Sequence, residues 1–184
     1  MKDISLHILD IVQNSVTAQA SNIEINIEVD KKNDYLALLI TDNGKGMSPE
    51  FLQRAMDPYA TTRTTRKVGL GLPLLKQNAE RTGGSMIIES IEGQGTMLKA
   101  VLQTNHIDCL PLGDIPGVIA MLICSHPQIN FYFTQKYNSK EFSISTLELV
   151  EALDGLPLNN PGVYPLVKEL LSSNLDELQI SELG

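Results

Sequence analysis

The sequence predicts an α+β fold, and three observations predict it. Residues 3–19 place apolar side chains at helical spacing. Residues 22–29, NIEINIEV, alternate strictly between apolar and polar side chains, as a half-buried strand does. Strand-like runs come in neighbouring pairs joined by short turn-forming stretches, so the strands are expected to pair as hairpins between helices.

Each element has its own signal. In the first helix Ile4, Ile8, Ile11 and Ser15 share a face that Leu6, Leu9 and Val12 widen. Asp3, His7, Asp10, Asn14 and Thr17 form a second, polar stripe, which either meets solvent or lines a site. The strand at 22–29 is followed by the turn KKND and a second strand, YLALLI, at 35–40. After the loop TDNGKGM, Ser48 is expected to cap a short helix with Pro49 at its first position. Residues 57–69 show no periodicity and read as a loop, and residues 70–82 read as a helix ending at Thr82-Gly83-Gly84. SMIIES and TMLKAVLQ are two strands joined by the turn IEGQG. Beyond Thr104 the composition changes. A linker at 105–116 precedes a helix at 115–125, a hairpin of INFYFTQK and EFSIST, and helices at TLELVEALDG and 161–172. The expected organisation is a domain at 1–104 and a small accessory domain at 105–184.

Composition narrows the function. The 184 residues are 42% hydrophobic and 20% charged, which excludes a collagen-like or wholly disordered chain. A net charge of -8 argues against generic nucleic-acid or anionic-membrane binding, because both need a positive protein field. Cys109 and Cys124 form no CxxC pair and are expected as reduced thiols. The N-terminus lacks the uninterrupted apolar core of a signal peptide, and the most apolar run, IPGVIAMLIC, is too short to span a bilayer. A cytoplasmic protein is the expectation.

Two segments carry chemistry. In TDNGKGM, at 41–47, an acid precedes two glycines spaced by one residue. Such a loop lets backbone approach a flat ligand while the Asp42 carboxylate accepts hydrogen bonds from an exocyclic amine. Alone it is equally a plain Asx turn. In ATTRTTRKVGLGL, at 60–72, Arg63, Arg66 and Lys67 precede Gly69, Gly71 and a helix start, which is the composition of an anion site. Alone it is equally a basic surface loop. It is neither a Walker loop nor a dinucleotide fingerprint.

Taken together with the polar stripe of the first helix, GGSMIIES and GQGT, these motifs stand in the order found in the GHKL ATPases. The resemblance covers residues 1–104 and is nearest to the histidine-kinase branch, on PYATTR, KVGLGL, GGSMIIES and GQGT. It implies a two-layer α/β sandwich of the Bergerat type, with helices on one face of a mixed, mostly antiparallel sheet. It implies ATP and magnesium as cofactors. By position, Asn14 matches the asparagine that binds magnesium, and Asp10, one turn earlier, matches the position of the catalytic general base, often Glu, or of a second polar residue in kinases. Asp42 matches the adenine-binding aspartate. Gly44, Gly46 and Met47 match the adenine-pocket loop and wall. Thr62, Arg63, Arg66 and Lys67 fall on the phosphate side. Gly69, Leu70, Gly71 and Leu72 match the second glycine box, and Thr96 matches the threonine that reaches adenine, commonly through water.

Two departures bear on activity. Lys67 replaces the first glycine of the family's GxGLGL, which makes the lid less pliable. Asp10 is one methylene shorter than the usual Glu, which predicts slow hydrolysis. His7 reads as a polar or packing neighbour of the site, and His106 and His126 lack metal spacing. Met56 reads as core. The resemblance begins at residue 1, so the expectation is a stand-alone protein without the phosphoacceptor helical hairpin. It would be a histidine-kinase-like ATPase or kinase in signal transduction, acting on a separate protein and possible as a homodimer. The alternatives are an anti-sigma-factor-type serine kinase and an ATP-sensing module without turnover. The ionisable Asp10 favours an enzyme.

Overall fold

The computed structural model describes residues 1–57 and 71–180. The chain runs α1 (Ile4–Thr17), β1 (Asn22–Asp30), β2 (Tyr35–Asp42), α2 (Pro49–Ala55), α3 (Gly71–Arg81), β3 (Ser85–Ile91), β4 (Gly95–Leu102), α4 (Ile115–Ser125), β5 (Asn130–Tyr137), β6 (Lys140–Ser145), α5 (Thr146–Ala152) and α6 (Val163–Ile180). The expected elements are all present, with α6 running past the predicted end at 172. Ser48 caps α2 as expected, its hydroxyl accepting from the Phe51 amide.

The strands form one sheet in the order β3-β4-β2-β1-β5-β6. All neighbours are antiparallel except β1 and β5, which run parallel. Strict alternation explains the layering. In β1, Ile23, Ile25, Ile27 and Val29 point inward, and so do Leu36, Leu38 and Ile40 of β2. These residues meet Ile4, Ile8, Ile11 and Val12 of α1 and the buried faces of α3, α4 and α6 in one core. The opposite sheet face is open, with Ile87 and Tyr132 exposed. The result is the two-layer α+β sandwich that the resemblance implied.

The boundary drawn at residue 104 divides neither the sheet nor the core. β5 pairs with β1 along its whole length, from Asn22 opposite Asn130 to Val29 opposite Tyr137. Phe131 and Phe133 of β5 and Ile119, Leu122 and Ile123 of α4 belong to the same core as α1. The first turn of α1 also depends on the later chain. Two of its amides have no partner within the helix, and they donate to the carbonyls of Pro111 and Leu112 at 3.0 and 2.9 Å. Physical continuity across the boundary arises because β1 would otherwise be an uncovered, strongly apolar edge. No described helix is long and apolar enough to cross a membrane.

Deletion of residues 105–184 is therefore expected to abolish cooperative folding of 1–104. Loss of a sharp urea transition, with dye binding to exposed apolar surface, is the readout. A sharp transition in the fragment would show the first 104 residues to be independent.

Candidate nucleotide site

The site lies at the C-terminal end of β2, where Asp42 points inward under α1. The side chain is 9% exposed. Its Oδ2 accepts from the Ser15 hydroxyl at 2.6 Å, and its Oδ1 accepts from the Gly44 amide at 2.8 Å. Each donor is set by local sequence. Ser15 falls on the apolar stripe of α1 and is driven inward with it, and Gly44 turns the chain back immediately after β2. A Cβ on Gly44 would lie 2.9 Å from the Ala18 Cβ, so only glycine lets the loop sit this close to α1.

The loop from Asn43 to Met47 is strapped on both sides. The Lys45 amide donates to the Ala18 carbonyl at 2.9 Å, and the Gly93 amide donates to the Lys45 carbonyl at 2.8 Å. The Asn43 carboxamide oxygen accepts from the amides of Ser21 and Asn22, both at 2.9 Å. Gly46 has φ +64, and a Cβ there would fall 2.0 Å from the Ile91 carbonyl oxygen. Met47 is half-buried against the core.

Ser90 joins this loop to the β3–β4 hairpin. Its hydroxyl accepts from the Met47 amide at 2.9 Å, donates to the Gly95 carbonyl at 3.1 Å and contacts Thr96 Oγ1 at 2.9 Å. With its one proton given to Gly95, Ser90 takes the Thr96 proton, and Thr96 presents its lone pairs to a ligand or water. Thr96 stands directly opposite Asp42 in the sheet register.

Asp10 and Asn14 follow the expected stripe on α1. Asn14 is exposed beside the buried Ser15. Asp10 meets the first residue of α3: a Cβ on Gly71 would lie 2.0 Å from Asp10 Oδ2. That oxygen is buried and has no hydrogen-bond partner among the described residues. Burial raises the Asp10 carboxyl above the ordinary carboxylate range, and the Gly71 backbone amide acts in the opposite sense. Leu72 is buried beside Gly71. One turn before Asp10, the fully buried His7 places Nε2 3.1 Å from Asn78 Nδ2 of α3. Burial, and then the positive N-terminus, lower its pKa to about 4, so the ring is neutral at pH 7.

The structure thus gathers Asp10, Asn14, Asp42, Gly44, Gly46, Met47, Gly71, Leu72 and Thr96 around α1 and the ends of β2 and β4. Thr62, Arg63, Arg66, Lys67, Gly69 and Leu70 lie outside the described residues. Sequence reasoning missed Ser15, Asn43 and Ser90. Ser15 had a signal: a hydroxyl in an apolar stripe must find a buried partner. Asn43 had one too, since the side chain of such a residue often replaces a backbone partner in a turn. Ser90 had none, because its link from the β3–β4 hairpin to Met47 joins segments 43 residues apart.

Residues 2–106 match the family described as "Histidine kinase-, DNA gyrase B-, and HSP90-like ATPase". The match covers more than half of the chain, and the chain belongs to this family. It is 36% identical over 85 residues to the "Probable C4-dicarboxylate sensor kinase" of Bacillus subtilis, across 46% of this chain and 16% of that protein. It is 32% identical over 91 residues to the sensor histidine kinase ZraS of Salmonella typhimurium, across 49% of this chain and 19% of that one. The chain spans less than a fifth of the length of these relatives. A solved structure described as the N-terminal domain of a DNA repair protein shares the fold, with a TM-score of 0.55 and 16% identity over 78% of this chain and 52% of that one. The protein is a histidine-kinase-like ATPase by family.

Two outcomes are expected from this geometry. Ser15→Ala strips one donor from a buried carboxylate and should cost about 1–3 kcal/mol in urea unfolding. The His7 shift fixes a pH dependence. The unfolded ring binds a proton below its ordinary value of 6.5, and the folded ring does so only below about 4. Stability should therefore fall as pH drops from 6.5 towards 4, by up to about 3 kcal/mol, and His7→Leu should remove that slope.

Proposed function

We propose that this chain binds ATP with magnesium and releases or transfers the γ-phosphate, acting on a separate protein in signalling. The observation that carries the reading is Asp42, a carboxylate at the end of β2 fixed from two sides where the glycine-lined loop begins, with Asn14 and Asp10 on α1, the helix that supplies its Ser15 donor.

The residues fit such a ligand. Ser15 and Gly44 hold Asp42 in one orientation, so it can accept from the adenine amino group. Thr96 offers a second acceptor from the facing strand. Gly46 and Gly95 have positive φ and keep side chains out of the loop's closest approaches. Among the described residues no group of three His, Cys, Asp or Glu could hold a metal unaided. Magnesium usually binds through phosphates and one or two protein oxygens, and the amide oxygen of Asn14 would be the protein oxygen here. Bound magnesium would neutralise phosphate charge. α3 begins at Gly71 beside Asp10, and a helix N-terminus favours an anion. Asp10, held above its ordinary pKa by burial, is the base that would take a proton from water or an acceptor hydroxyl.

A second reading rests on the same contact. Gly71 covers Asp10 Oδ2, so that oxygen is shut off from water in this arrangement. If the contact persists with ATP, the chain binds and senses nucleotide without turnover.

Incubation with γ-labelled ATP, alone and with candidate partner proteins, decides between the readings. Label released or transferred supports the enzyme, and saturable binding with intact ATP supports the sensor. Asp42→Ala should reduce the preference for ATP over GTP at least tenfold in calorimetry. Asn14→Ala should abolish magnesium-dependent binding. Asp10→Asn should leave ATP affinity within about threefold and cut turnover about a hundredfold or more.

A further inference from the structure

His7 is the one fully buried histidine of the described residues, and nothing in the proposed reaction uses it. Its surroundings are specific. Nε2 lies 3.1 Å from the Asn78 amide nitrogen, which can only donate. Nε2 is therefore the acceptor, and the ring proton of the neutral imidazole sits on Nδ1. That atom is buried without a hydrogen-bond partner among the described residues, as is Asp10 Oδ2. His7 and Asp10 are three residues apart on one face of α1, and both titrations respond to the Gly71 backbone. The other charges acting on the ring are the N-terminal ammonium and Asp3. Both polar atoms thus lie beside the backbone of the first residue of α3, one a donor and one an acceptor, near enough for that backbone to shift both titrations without a well-formed hydrogen bond. Two turns further along the same helix, Asn78 ties α3 to His7.

We propose that His7 is a positioning residue of this site: its imidazole fastens α3 to α1 through Asn78 and holds the Gly71 end of α3 over Asp10, so that Gly71, Leu72 and the carboxylate move as one unit. The proposal rests on the reading of Asp10 as the group facing the γ-phosphate. Leucine at position 7 would fill the space and keep the core apolar, and it would release α3 from α1. Glutamine would return an amide oxygen near the place of Nε2 and restore the tether.

The test uses the full chain. Nitrogen-15 spectra of the imidazole at pH 7 should show a neutral ring with the proton on Nδ1. A proton on Nε2, or a charged ring, would overturn the proposal, and this measurement needs no variant to fold. In the nucleotide-free protein, amide exchange at residues 75–79 should accelerate at least tenfold in His7→Leu and in Asn78→Leu. The double variant should add nothing more, and His7→Gln should recover most of the protection. Exchange unchanged in both single variants sinks the idea. With ATP, His7→Leu should lower kcat about tenfold and leave KM within threefold, and a matching loss in KM alone would contradict a role through Asp10. If the wild-type chain neither binds nor consumes ATP, the functional reading fails, and the tautomer and exchange results still decide the role of His7.

Discussion

The hydrogen bond from Ser15 to Asp42 fixes the relation between helix and sheet on which the site depends. A buried carboxylate must be satisfied, and a hydroxyl on an apolar helix stripe must be satisfied too. Each solves the other's problem at 2.6 Å. That pairing sets the rotation of α1 about its axis. With Ser15 facing Asp42, the neighbouring Asn14 is exposed, and Asp10 lies one turn along, beside the start of α3. A rotation of α1 by one residue would bury Asn14 and break the carboxylate's partner.

The same helix is held from its other end by chain far away in sequence. Pro111 and Leu112 take up the first amides of α1, and α4 packs beside it in the shared core. The segment after residue 105 therefore contributes to the geometry of the nucleotide site without touching it. The parallel pairing of β5 with β1 gives this arrangement its rigidity, because it turns an apolar edge into the interior of a six-stranded sheet. A partner that bound the later helices would act on α1 through this path.

The glycines of the site do different work. Gly46 and Gly95 allow backbone conformations and close approaches that a side chain would prevent, so they shape the loop whatever binds there. Gly71 instead lets a carboxylate and a helix start share one space. The first kind of contact makes a pocket. The second kind makes a junction between α1 and α3 at Asp10.

Local pattern alone determined the secondary structure, because it depends on spacing and capping that neighbouring residues settle among themselves. The 4-3-4-3 stripe of Asp3, His7, Asp10 and Asn14 and the strict alternation of β1 were enough to place the helix and strand. The motif order was enough to point to the family that residues 2–106 match. The tertiary structure decided what sequence spacing cannot encode: that β5 joins β1, that Ser15 serves the carboxylate, and that Ser90 ties the loop after β2 to the β3–β4 hairpin. These follow from pairing and burial between distant residues, where each polar atom must find whichever partner the finished packing leaves within reach.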